Sequence, residues 1–223
     1  MAQNGGLCFM IKLGKAELHN ADCMELMAQY PDGYFELAIV DPPYGIDAAN
    51  MTMGKGSAND LGIHKKKNWD KKTPKQFYFN QLFRVSKNQI IWGGNYFFDY
   101  LGNTRCCLIW DKLDYNSDFA AFELAWTSFN KNCKTFQRAR SAEGDSNGKI
   151  HPTQKPVKLY EWLLINYAKQ GDKIIDTHLG SMSSVIACHN LGFEIVGSEL
   201  DADYFQAGVE RVKKAMSQQR LFE

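Results

Sequence analysis

The stretch KIIDTHLGSMSSVIACHNLGFEIVGSE occupies residues 173–199 and follows the order strand, turn, helix, strand. Its segments are Lys173–Asp176, 177–182, Ser183–Leu191 and Glu194–Ser198, with Gly192 after the helix and Glu199 after the second strand. Two strands joined through a helix indicate a parallel pair, because antiparallel neighbours need only a short turn. This unit therefore predicts a parallel sheet with helices packed on it.

The rest of the chain continues this alternation. Apolar runs predict strands at 18–22, 35–40, 89–92, 106–110 and 122–129, and helical spacing predicts helices at 23–30, 74–85, 157–169 and 202–218, with a short helix ending near Leu101. We expect an α/β fold with a mainly parallel seven-stranded sheet, helices on both faces and one antiparallel edge hairpin. Residues 46–72 and 137–150 have no clear period and are interpreted as loops.

Length and composition favour a single globular domain over residues 1–223. Apolar residues make up 44% and charged residues 23%, which excludes collagen-like sequence and wholesale disorder. No apolar run approaches the roughly 20 residues that cross a bilayer, and the N-terminus does not resemble a secretory signal. We therefore expect a cytoplasmic protein without membrane segments.

Cysteine and histidine spacing gives no sign of a metal site. The six cysteines form no CxxC pair, and the five histidines form no HExxH pattern. We expect free thiols in a reducing compartment and no bound metal.

Positive charge is concentrated in one segment. Residues 54–75 hold seven lysines and two aspartates, a local charge of +5, while the whole chain carries only +1. A basic segment on a mildly acidic body is typical of polyanion binding. The alternative interpretation is a solvated loop without a partner.

The tetrapeptide Asp41-Pro-Pro-Tyr44 follows the strand at 35–40 directly. Ligands of open parallel sheets bind beyond the carboxyl ends of the strands, so this tetrapeptide is expected at the mouth of a crevice. The two prolines stiffen the chain and leave their carbonyls free to accept hydrogen bonds. A carboxylate, a free carbonyl and an aromatic ring suit a flat group that carries an amine. The alternative is a plain turn with a solvated Asp41.

The small-residue turn at 176–181 has an acid, Glu199, 23 residues after Asp176. Such a turn lets a ligand approach the backbone, and an acid about 20 residues later can accept from two ribose hydroxyls. This arrangement favours a cofactor that contains adenosine. The absence of GxGxxG disfavours a nicotinamide dinucleotide.

Five motifs in order resemble the DNA amino-methyltransferases that use S-adenosylmethionine, in the permuted arrangement called the beta group. They are Asn20-Ala-Asp22-Cys23 with Asp41-Pro-Pro-Tyr44, Ile90-Ile-Trp-Gly-Gly-Asn95, Leu108-Ile-Trp-Asp-Lys112, His151-Pro-Thr-Gln-Lys-Pro156, and the 176–181 turn with Glu199-Leu-Asp201. The resemblance implies a Rossmann-like sheet in the permuted methyltransferase order.

The resemblance also implies methyl transfer from S-adenosylmethionine to an exocyclic amine. DPPY is most typical of adenine N6 chemistry on DNA, with cytosine N4 as the minority possibility. Asp41 and the Pro42 carbonyl would accept the two amine protons, Pro43 would stiffen the corner, and Tyr44 would stack on the base. A base in duplex DNA must flip out to reach such a pocket.

Cofactor contacts are implied residue by residue. Asp22 and Cys23 would lie near the adenine and Glu199 at the ribose, and His178 would cover the cofactor as a flat ring. The residues implied near the methionine end are Thr153, Gln154, Lys155, Asp176, Gly180 and Ser181. Thr177 and Leu200 are further cofactor-binding candidates. Asp22 has the alternative role of a helix cap, and Lys155 that of a solvated charge. Trp92 and Trp110 are expected in the core rather than on a base.

The 176–184 loop departs from the family pattern, which usually reads DPFxGSGTT. Thr177, His178 and Met182 replace Pro, Phe and Gly. Met182 would put a side chain where the backbone normally approaches the ligand, and a positive φ would be costly for Met. The sequence thus leaves open weak cofactor binding, a rearranged loop or lost catalysis.

Candidate DNA contacts come from two segments, 46–75 and 130–150, because no larger recognition insertion is present. The candidates are Lys65, Lys66, Lys67, Lys71, Lys72, Arg138 and Arg140. Lysines mainly contact phosphates, which positions a protein without specifying sequence. Double-stranded DNA is the expected partner, the enzyme is expected to be an orphan or the partner of a restriction system, and a homodimer is a further possibility. The alternatives are an RNA or cytosine N4 enzyme and a silent DNA-binding module.

Overall fold

The computed structural model describes residues 9–47, 70–115, 120–139, 150–151 and 153–219. The strands are β1 (Phe9–Leu13), β2 (Ala16–Asn20), β3 (Phe35–Val40), β4 (Ser86–Trp92), β5 (Cys107–Asp111), β6 (Phe122–Thr127), β7 (Lys134–Gln137), β8 (Lys173–Asp176) and β9 (Glu194–Ser198). The helices are α1 (Cys23–Met27), α2 (Gln76–Val85), α3 (Phe98–Leu101), α4 (Val157–Tyr167), α5 (Ser183–Leu191) and α6 (Ala202–Gln219), with a 3₁₀ turn at Gly94–Tyr96.

The described strands form one sheet in the order β1-β2-β9-β8-β3-β4-β6-β5-β7. Strands β2, β9, β8, β3 and β4 are parallel to one another. Strand β6 is antiparallel to both β4 and β5, and β7 is parallel to β5. Strands β1 and β2 form an antiparallel hairpin at one edge. The predicted α/β class, with a mainly parallel sheet and an antiparallel edge hairpin, is confirmed.

The sheet has nine strands where the sequence indicated seven, so the expected strand count was wrong. All seven expected strands are present, and the two additional ones, β1 and β7, lie at the edges. Strand β7 lies within 130–150, the segment of candidate DNA contacts, and its last residue, Gln137, is the first residue of the predicted loop at 137–150. Its sequence KTFQ is largely exposed and has no buried alternation, so only pairing with β5 gives it order.

The core lies on both faces of the sheet, because alternate residues of a strand point to opposite faces. Leu37 and Ile39 of β3 pack with α4, α5 and α6. Ala38 and Val40 pack with α1, α2 and α3. This two-sided burial explains why β3 is an unbroken apolar run, and it leaves the carboxyl edge of the sheet for chemistry.

Strands β8 and β3 are neighbours, but their chains continue in opposite directions along the sheet. After β8 the chain passes through α5 to β9 on one side, and after β3 it passes through α2 to β4 on the other. This is a topological switch point, where open α/β sheets bind ligands. Four strands therefore end along one edge with Asp22, Glu199, Asp176 and Asp41 at or just beyond their last residues.

Candidate active site

The tetrapeptide 41–44, which we call the acidic corner, lies where β3 ends at the switch point. Strand β3 is buried up to Val40, and the two prolines end it because they have no N–H for the ladder. Pro42 is buried, whereas Pro43 and Tyr44 are half-buried. Asp41 is thus the first side chain beyond the carboxyl end of a buried central strand.

Both carboxylate oxygens of Asp41 have donors. The Tyr44 hydroxyl donates to Oδ1 at 2.5 Å, and Lys155 Nζ donates to Oδ2. Lys155 Nζ also lies 3.0 Å from Glu123 Oε2. The other oxygen of Glu123, Oε1, lies 2.7 Å from Lys112 Nζ. Because the Lys155 and Lys112 side chains are only 2% and 6% exposed, a buried row of alternating charges runs from Asp41 to Lys112.

The charges of this row depend on one another. Burial raises the pKa of Asp41, Lys155 counteracts burial, and the negative charge of Glu123 adds to the increase. Burial also raises the pKa of Glu123, but Lys155 and Lys112 together hold it below its ordinary value. The pKa of Lys155 is raised because its two carboxylate partners outweigh its burial. Asp41 is therefore the acid in this row whose protonation depends on a balance of opposing neighbours.

A glycine fixes the position of the Tyr44 ring. Gly93, directly after β4, has φ +69°, and a Cβ there would lie 2.1 Å from Tyr44 Cε1. Tyr96 stacks on Tyr44 with ring centroids 4.9 Å apart and planes 13° apart. Burial, followed by the charge of Asp41, raises the pKa of Tyr44 well above its ordinary value, so the phenol keeps its proton.

The 176–184 loop holds a second buried acid. Asp176 Oδ1 accepts from the His178 N–H at 3.1 Å, and Oδ2 accepts from the Ser184 hydroxyl at 2.6 Å. Burial raises the pKa of Asp176 from 3.8 to about 7, because these hydrogen bonds only partly compensate for desolvation. Near neutral pH this acid exists in both protonation states.

His178 is held as a neutral ring in the same loop. Burial lowers its pKa to about 4. Its Nδ1 lies 2.9 Å from Thr177 Oγ1, which lies 2.7 Å from the Tyr78 hydroxyl. The ring packs edge-on against Tyr78, with centroids 5.4 Å apart. Substitution of the usual loop residues by Thr177 and His178 has therefore produced an ordered contact with α2.

Glu199 joins the end of β9 to the 176–184 loop. Its Oε2 accepts from the Gly180 N–H at 2.8 Å, and its Oε1 accepts from the Asp201 N–H at 2.9 Å. Gly180 has φ +48°, and the nearest atoms that a Cβ there would meet among the described residues belong to the His151 ring, at 3.8–3.9 Å. A half-buried carboxylate beside an open glycine turn suits the hydroxyls of a ribose. Leu200, next in the chain, is 71% exposed.

Asp22 caps helix α1, as one of the two interpretations expected. Its Oδ1 accepts from the Met24 N–H at 2.7 Å, which leaves the other oxygen for further acceptance. Burial, and then the charge of Asp22, raises the pKa of Cys23 to about 12, so Cys23 is a neutral thiol. The pair lies after β2, two strands from the switch point.

Met182 adopts the costly backbone expected from the sequence, but its side chain does not enter the crevice. It has φ +58° at the start of α5 and is 0% exposed. Its side chain packs on Gly208 of α6, where a Cβ would lie 2.8 Å from Met182 Cγ. The expectation that Met182 would occupy the ligand face was therefore wrong, because packing against α6 stabilises the strained residue.

Hydrogen bonds connect the 176–184 loop to Lys155. The Ser183 hydroxyl donates to the Lys155 carbonyl at 2.7 Å. Arg211 of α6, 5% exposed, donates through Nη1 to the Ser181 carbonyl at 2.6 Å and to Ser183 Oγ at 3.0 Å. The Lys155 ammonium lies in the row of charges beside Asp41, whereas the sequence had suggested the methionine end of a cofactor or a solvated charge. The solvated alternative was wrong, since Lys155 is 3% exposed.

The segment before Lys155 is held by His151. Thr153 Oγ1 lies 3.1 Å from His151 Nδ1, and the Gln154 N–H donates to the His151 carbonyl at 3.2 Å. Gln154 Oε1 accepts from the Ile150 N–H at 3.1 Å. Thr153 is exposed and Gln154 half-buried, so both remain accessible beside the 176–184 loop.

Only part of the expected DNA surface falls on the described residues. Lys71 and Lys72 are exposed, and Arg138 is half-buried with its carbonyl accepting from Trp110 Nε1 at 2.9 Å. Lys65, Lys66, Lys67 and Arg140 lie outside the described residues. Trp92 and Trp110 lie in the core, as expected.

Sequence reasoning did not identify several residues of the site. Lys112 was quoted only within a strand motif, and Glu123, Tyr96 and Arg211 were given no role. Lys155 joins Glu123 to the acidic corner, and Lys112 lies beside Glu123 because β5 and β6 pair so that Trp110 is opposite Glu123. A signal was available for Lys112 alone, as a lysine directly after a buried strand.

The described ranges contain neither a metal-binding cluster nor a helix that could span a membrane. No group of three or more His, Cys, Asp or Glu residues there has the geometry to hold a metal ion. In the same ranges, no helix combines the length and apolar character that a membrane crossing requires. The five described cysteines, Cys23, Cys106, Cys107, Cys133 and Cys188, are free thiols.

The fold is shared with DNA methyltransferases of known structure. The chain superposes on the S-adenosylmethionine complex of M1.HpyAVI with a TM-score of 0.61 at 17% identity, covering 88% of this chain and 98% of that one. It superposes on the cytosine-N4-specific PvuII DNA methyltransferase with a TM-score of 0.58 at 14% identity, covering 91% and 90%. At these identities the agreement establishes a shared fold.

Sequence matches agree with this likeness in fold. Residues 109–210 match the N6/N4 family model, which is described as DNA methylase. The match includes Lys112, Glu123, Lys155, Asp176 and Glu199, whereas the acidic corner precedes it. The resemblance noted from the sequence is confirmed, and the family uses S-adenosylmethionine.

Two relatives illustrate the range of similarity. The type II methyltransferase M.HpaI of Haemophilus parainfluenzae is 32% identical over 68 residues, which are 30% of this chain and 22% of that protein. YubD of Escherichia coli K12, which carries the name of a methylase, is 23% identical over 219 residues, covering 88% of this chain and 91% of its own length. The stronger match is thus local, and the longer one is more distant.

Proposed function

We propose that this chain is a cytoplasmic, single-domain DNA methyltransferase that transfers a methyl group from S-adenosylmethionine to the N6 amine of a flipped adenine. The observation that carries the proposal is the pairing of Asp41 with Tyr44 at the switch point, one strand from Asp176 and two from Glu199. Adjacent strands lie about 4.8 Å apart, so roughly 10 Å separates the acidic corner from the ribose acid. One cofactor can span that distance.

The residues present fit S-adenosylmethionine. Glu199 and Asp22 are acceptors suited to ribose hydroxyls and an adenine amine, and Asp176 is an acid suited to an ammonium group. The glycine turn at Gly180 leaves space beside these acids. The bound cofactor would supply an activated sulfonium methyl group. The cofactor-binding roles of these residues, of Cys23, Thr177, His178, Ser181 and Leu200, and of the segment 153–155 are part of the proposal.

The acidic corner would prepare the amine. An exocyclic amine is a weak nucleophile because its lone pair is delocalised into the ring. Asp41 and the Pro42 carbonyl would accept hydrogen bonds from the two N–H groups of the amine and leave its lone pair directed at the methyl group. Tyr44 would stack on the base, so Tyr96, which is 44% exposed, would have to move from the face it now covers. Positioning of this kind supplies several kcal/mol in enzymes generally, roughly 7–11 at best.

Cytosine N4 is the second candidate target. The sequence DPPY favours adenine through the family resemblance, whereas one neighbour in fold, the PvuII enzyme, is cytosine-N4-specific. Both amines present the same pair of N–H donors, so the acidic corner alone does not separate them. The product nucleoside decides between the two.

We further propose that DNA lies across the carboxyl edge of the sheet, with lysines of 46–75 and arginines of 130–150 on its phosphates. Exposed Lys71 and Lys72 directly follow Asp70 in the chain. The Oδ1 atom of Asp70 accepts from the N–H of Gly45, the residue after the acidic corner, at 2.9 Å. Phosphate contacts of this kind give relaxed sequence reading. Identification of the target sequence would test whether the chain is an orphan enzyme or the partner of a restriction enzyme.

The test is incubation with DNA and methyl-labelled cofactor, followed by identification of the product nucleoside. We expect N6-methyladenine, and Asp41→Ala should lower transfer at least ~1000-fold while cofactor affinity stays within about threefold, because one transition-state acceptor is lost. The matched control is Asp32→Ala, since the Asp32 side chain is 82% exposed and pairs only with Arg84 among the described contacts. Near-normal turnover of Asp41→Ala, or N4-methylcytosine as product, would contradict the proposal.

A further inference from the structure

Both carboxylate oxygens of Asp41 already accept hydrogen bonds from side chains of the protein itself. Tyr44 donates to one oxygen of Asp41 and Lys155 donates to the other. A substrate amine needs one of these positions, and an ammonium group beside Asp41 also cancels the charge that would polarise the amine. One of the two donors therefore has to move.

Lys155 is the donor that has an alternative partner. Its Nζ lies 3.0 Å from Glu123 Oε2, so it can leave Asp41 without becoming an unpaired buried cation. Its four-carbon stem is flexible, whereas Tyr44 is fixed between Gly93 and Tyr96. A small movement of Nζ is therefore sufficient to release Asp41 Oδ2.

Glu123 is held ready for this role by the sheet. Lys112 Nζ lies 2.7 Å from Glu123 Oε1, and Lys112 also lies 5.3 Å from the centroid of the Trp110 ring. Trp110 and Glu123 are opposite each other in the β5–β6 ladder. Lys112 thus fixes one oxygen of Glu123 and leaves the other directed at Lys155.

We propose that Lys155 holds the place of the substrate amine on Asp41 and that the Glu123–Lys112 pair receives the Lys155 ammonium when the base arrives. The inference rests on the proposed function and makes Lys155 and Glu123 positioning residues. Lys155 favours the ionised form of Asp41 until the base binds, and Glu123 then receives the Lys155 ammonium.

The two residues act on Asp41 with opposite sign. Lys155 lowers the pKa of Asp41 and Glu123 raises it, against the increase that burial produces. The other titratable groups that interact with Asp41 in the described chain are Tyr44, Tyr78, Tyr160 and Asp176. None of these four groups is replaced in the variants described below. Opposite shifts of the Asp41 pKa in the two variants would therefore be due to Lys155 and Glu123.

The experiment compares Lys155→Met and Glu123→Gln. In Lys155→Met, Asp41 should stay protonated to higher pH. The acid limb of the profile of kcat against pH should therefore move to higher pH, and turnover should recover as pH rises. In Glu123→Gln, the acid limb should move down, while KM for DNA rises about tenfold because the ammonium has no carboxylate to receive it. Damage to the fold alone would lower both activities without moving the limbs apart.

Matched controls are available on helix α4. Lys158 and Glu161 form a second lysine–glutamate pair at 2.6 Å away from Asp41, and the Glu161 residue is 8% exposed. Lys158→Met and Glu161→Gln should leave the pH profile unchanged. Parallel shifts in all four variants would overturn the inference.

A second readout does not depend on turnover. Carbon-13 NMR of aspartate carboxyls in the full chain should show the Asp41 titration at higher pH in Lys155→Met and at lower pH in Glu123→Gln. If the wild-type chain transfers no methyl group to DNA, the proposed function fails, yet this titration still decides the inference. An Asp41 titration that is the same in wild type and both variants would overturn it whatever the activity.

Discussion

Two buried acids on neighbouring strands are treated differently by the fold. Asp41 after β3 contacts the buried cation Lys155, whereas Asp176 at the end of β8 accepts only from the Ser184 hydroxyl and the His178 N–H among its described hydrogen bonds. The pKa of Asp41 depends on its charged neighbours, because its ion pair with Lys155 opposes the effect of burial. Asp176 has hydrogen bonds but no such ion pair among the described residues, and burial raises its pKa to about 7. One crevice thus combines an acid controlled by charges with an acid controlled by solvation.

The difference matters for the two proposed roles. An acceptor for an amine has to be ionised but accessible, which a movable ammonium allows. An acid beside a cofactor ammonium gains its partner only on binding, so it can remain partly protonated in the free protein. We therefore expect cofactor binding to favour the ionised form of Asp176 and so to release protons, fewer of them as pH rises above the pKa of about 7.

The largest expected effect concerns Asp176→Asn. The folded pKa of about 7 lies above the ordinary 3.8, so between these values the unfolded chain binds fewer protons and stability falls as pH rises. Asparagine carries no such penalty. The stability of the variant relative to wild type should therefore increase by about 1.4 kcal/mol per pH unit from roughly pH 4 to 7 and then level off.

Urea unfolding at a series of pH values measures this difference. Asp172→Asn is the control, since Asp172 lies on the exposed turn before β8, where its Oδ2 accepts from the Lys169 N–H at 2.8 Å. A stability difference between Asp176→Asn and wild type that does not change with pH would show that Asp176 is ionised throughout.

The next effect concerns the acidic corner. Gly93→Ala would place a Cβ 2.1 Å from Tyr44 Cε1 at φ +69°, so Tyr44 would have to leave its position beside Asp41. We expect turnover to fall about 100-fold with cofactor affinity unchanged, since misplacement by about 1 Å costs that much.

A second glycine separates the clash from the backbone cost. Gly192 has φ +75° and ψ +21°, close to the values of Gly93, and a Cβ there would meet no atom of the described residues within 4 Å. Gly93→Ala and Gly192→Ala should each lose about 1–2 kcal/mol of stability, because both put alanine in the left-handed region. Equal turnover in the two variants would mean that the Tyr44 position does not matter.

The smallest effect concerns Ser184→Ala. The Ser184 hydroxyl donates to Asp176 Oδ2 at 2.6 Å, and this hydrogen bond lowers the pKa of Asp176. The variant removes it. The pKa should rise further, and the loss of stability should grow from about 1 kcal/mol at pH 6 to a larger value at pH 8, where the acid is ionised. Combining Ser184→Ala with Asp176→Asn should abolish that growth, as measured by the same unfolding series.

Local patterns were sufficient for the central elements. Strands β3, β8 and β9 and helix α5 have the bounds that the sequence predicted, because buried apolar runs bounded by Pro, Gly or small residues leave little choice. The edge strands β1 and β7 were missed, since an edge strand needs no buried alternation. Their order comes from pairing with β2 and β5.

The residues of the candidate site likewise fall into those that local sequence patterns indicated and those that they did not. Asp41, Asp176 and Glu199 follow predicted strands, so their shared edge was implied once the strands were recognised as parallel. Glu123 and Lys155 were different, because 82 and 114 residues separate them from Asp41. No local spacing indicates such contacts.

The sequence by itself determined that the sheet is mainly parallel and which acids follow its central strands, because both depend on local apolar runs and on the short reach of neighbouring residues. Only the tertiary structure decided the partners of those acids. It placed Met182 against Gly208 and away from the crevice, and it placed Lys155 between two carboxylates. The physical reason is that side-chain direction and the pairing of buried charges depend on distant segments that share one desolvated volume.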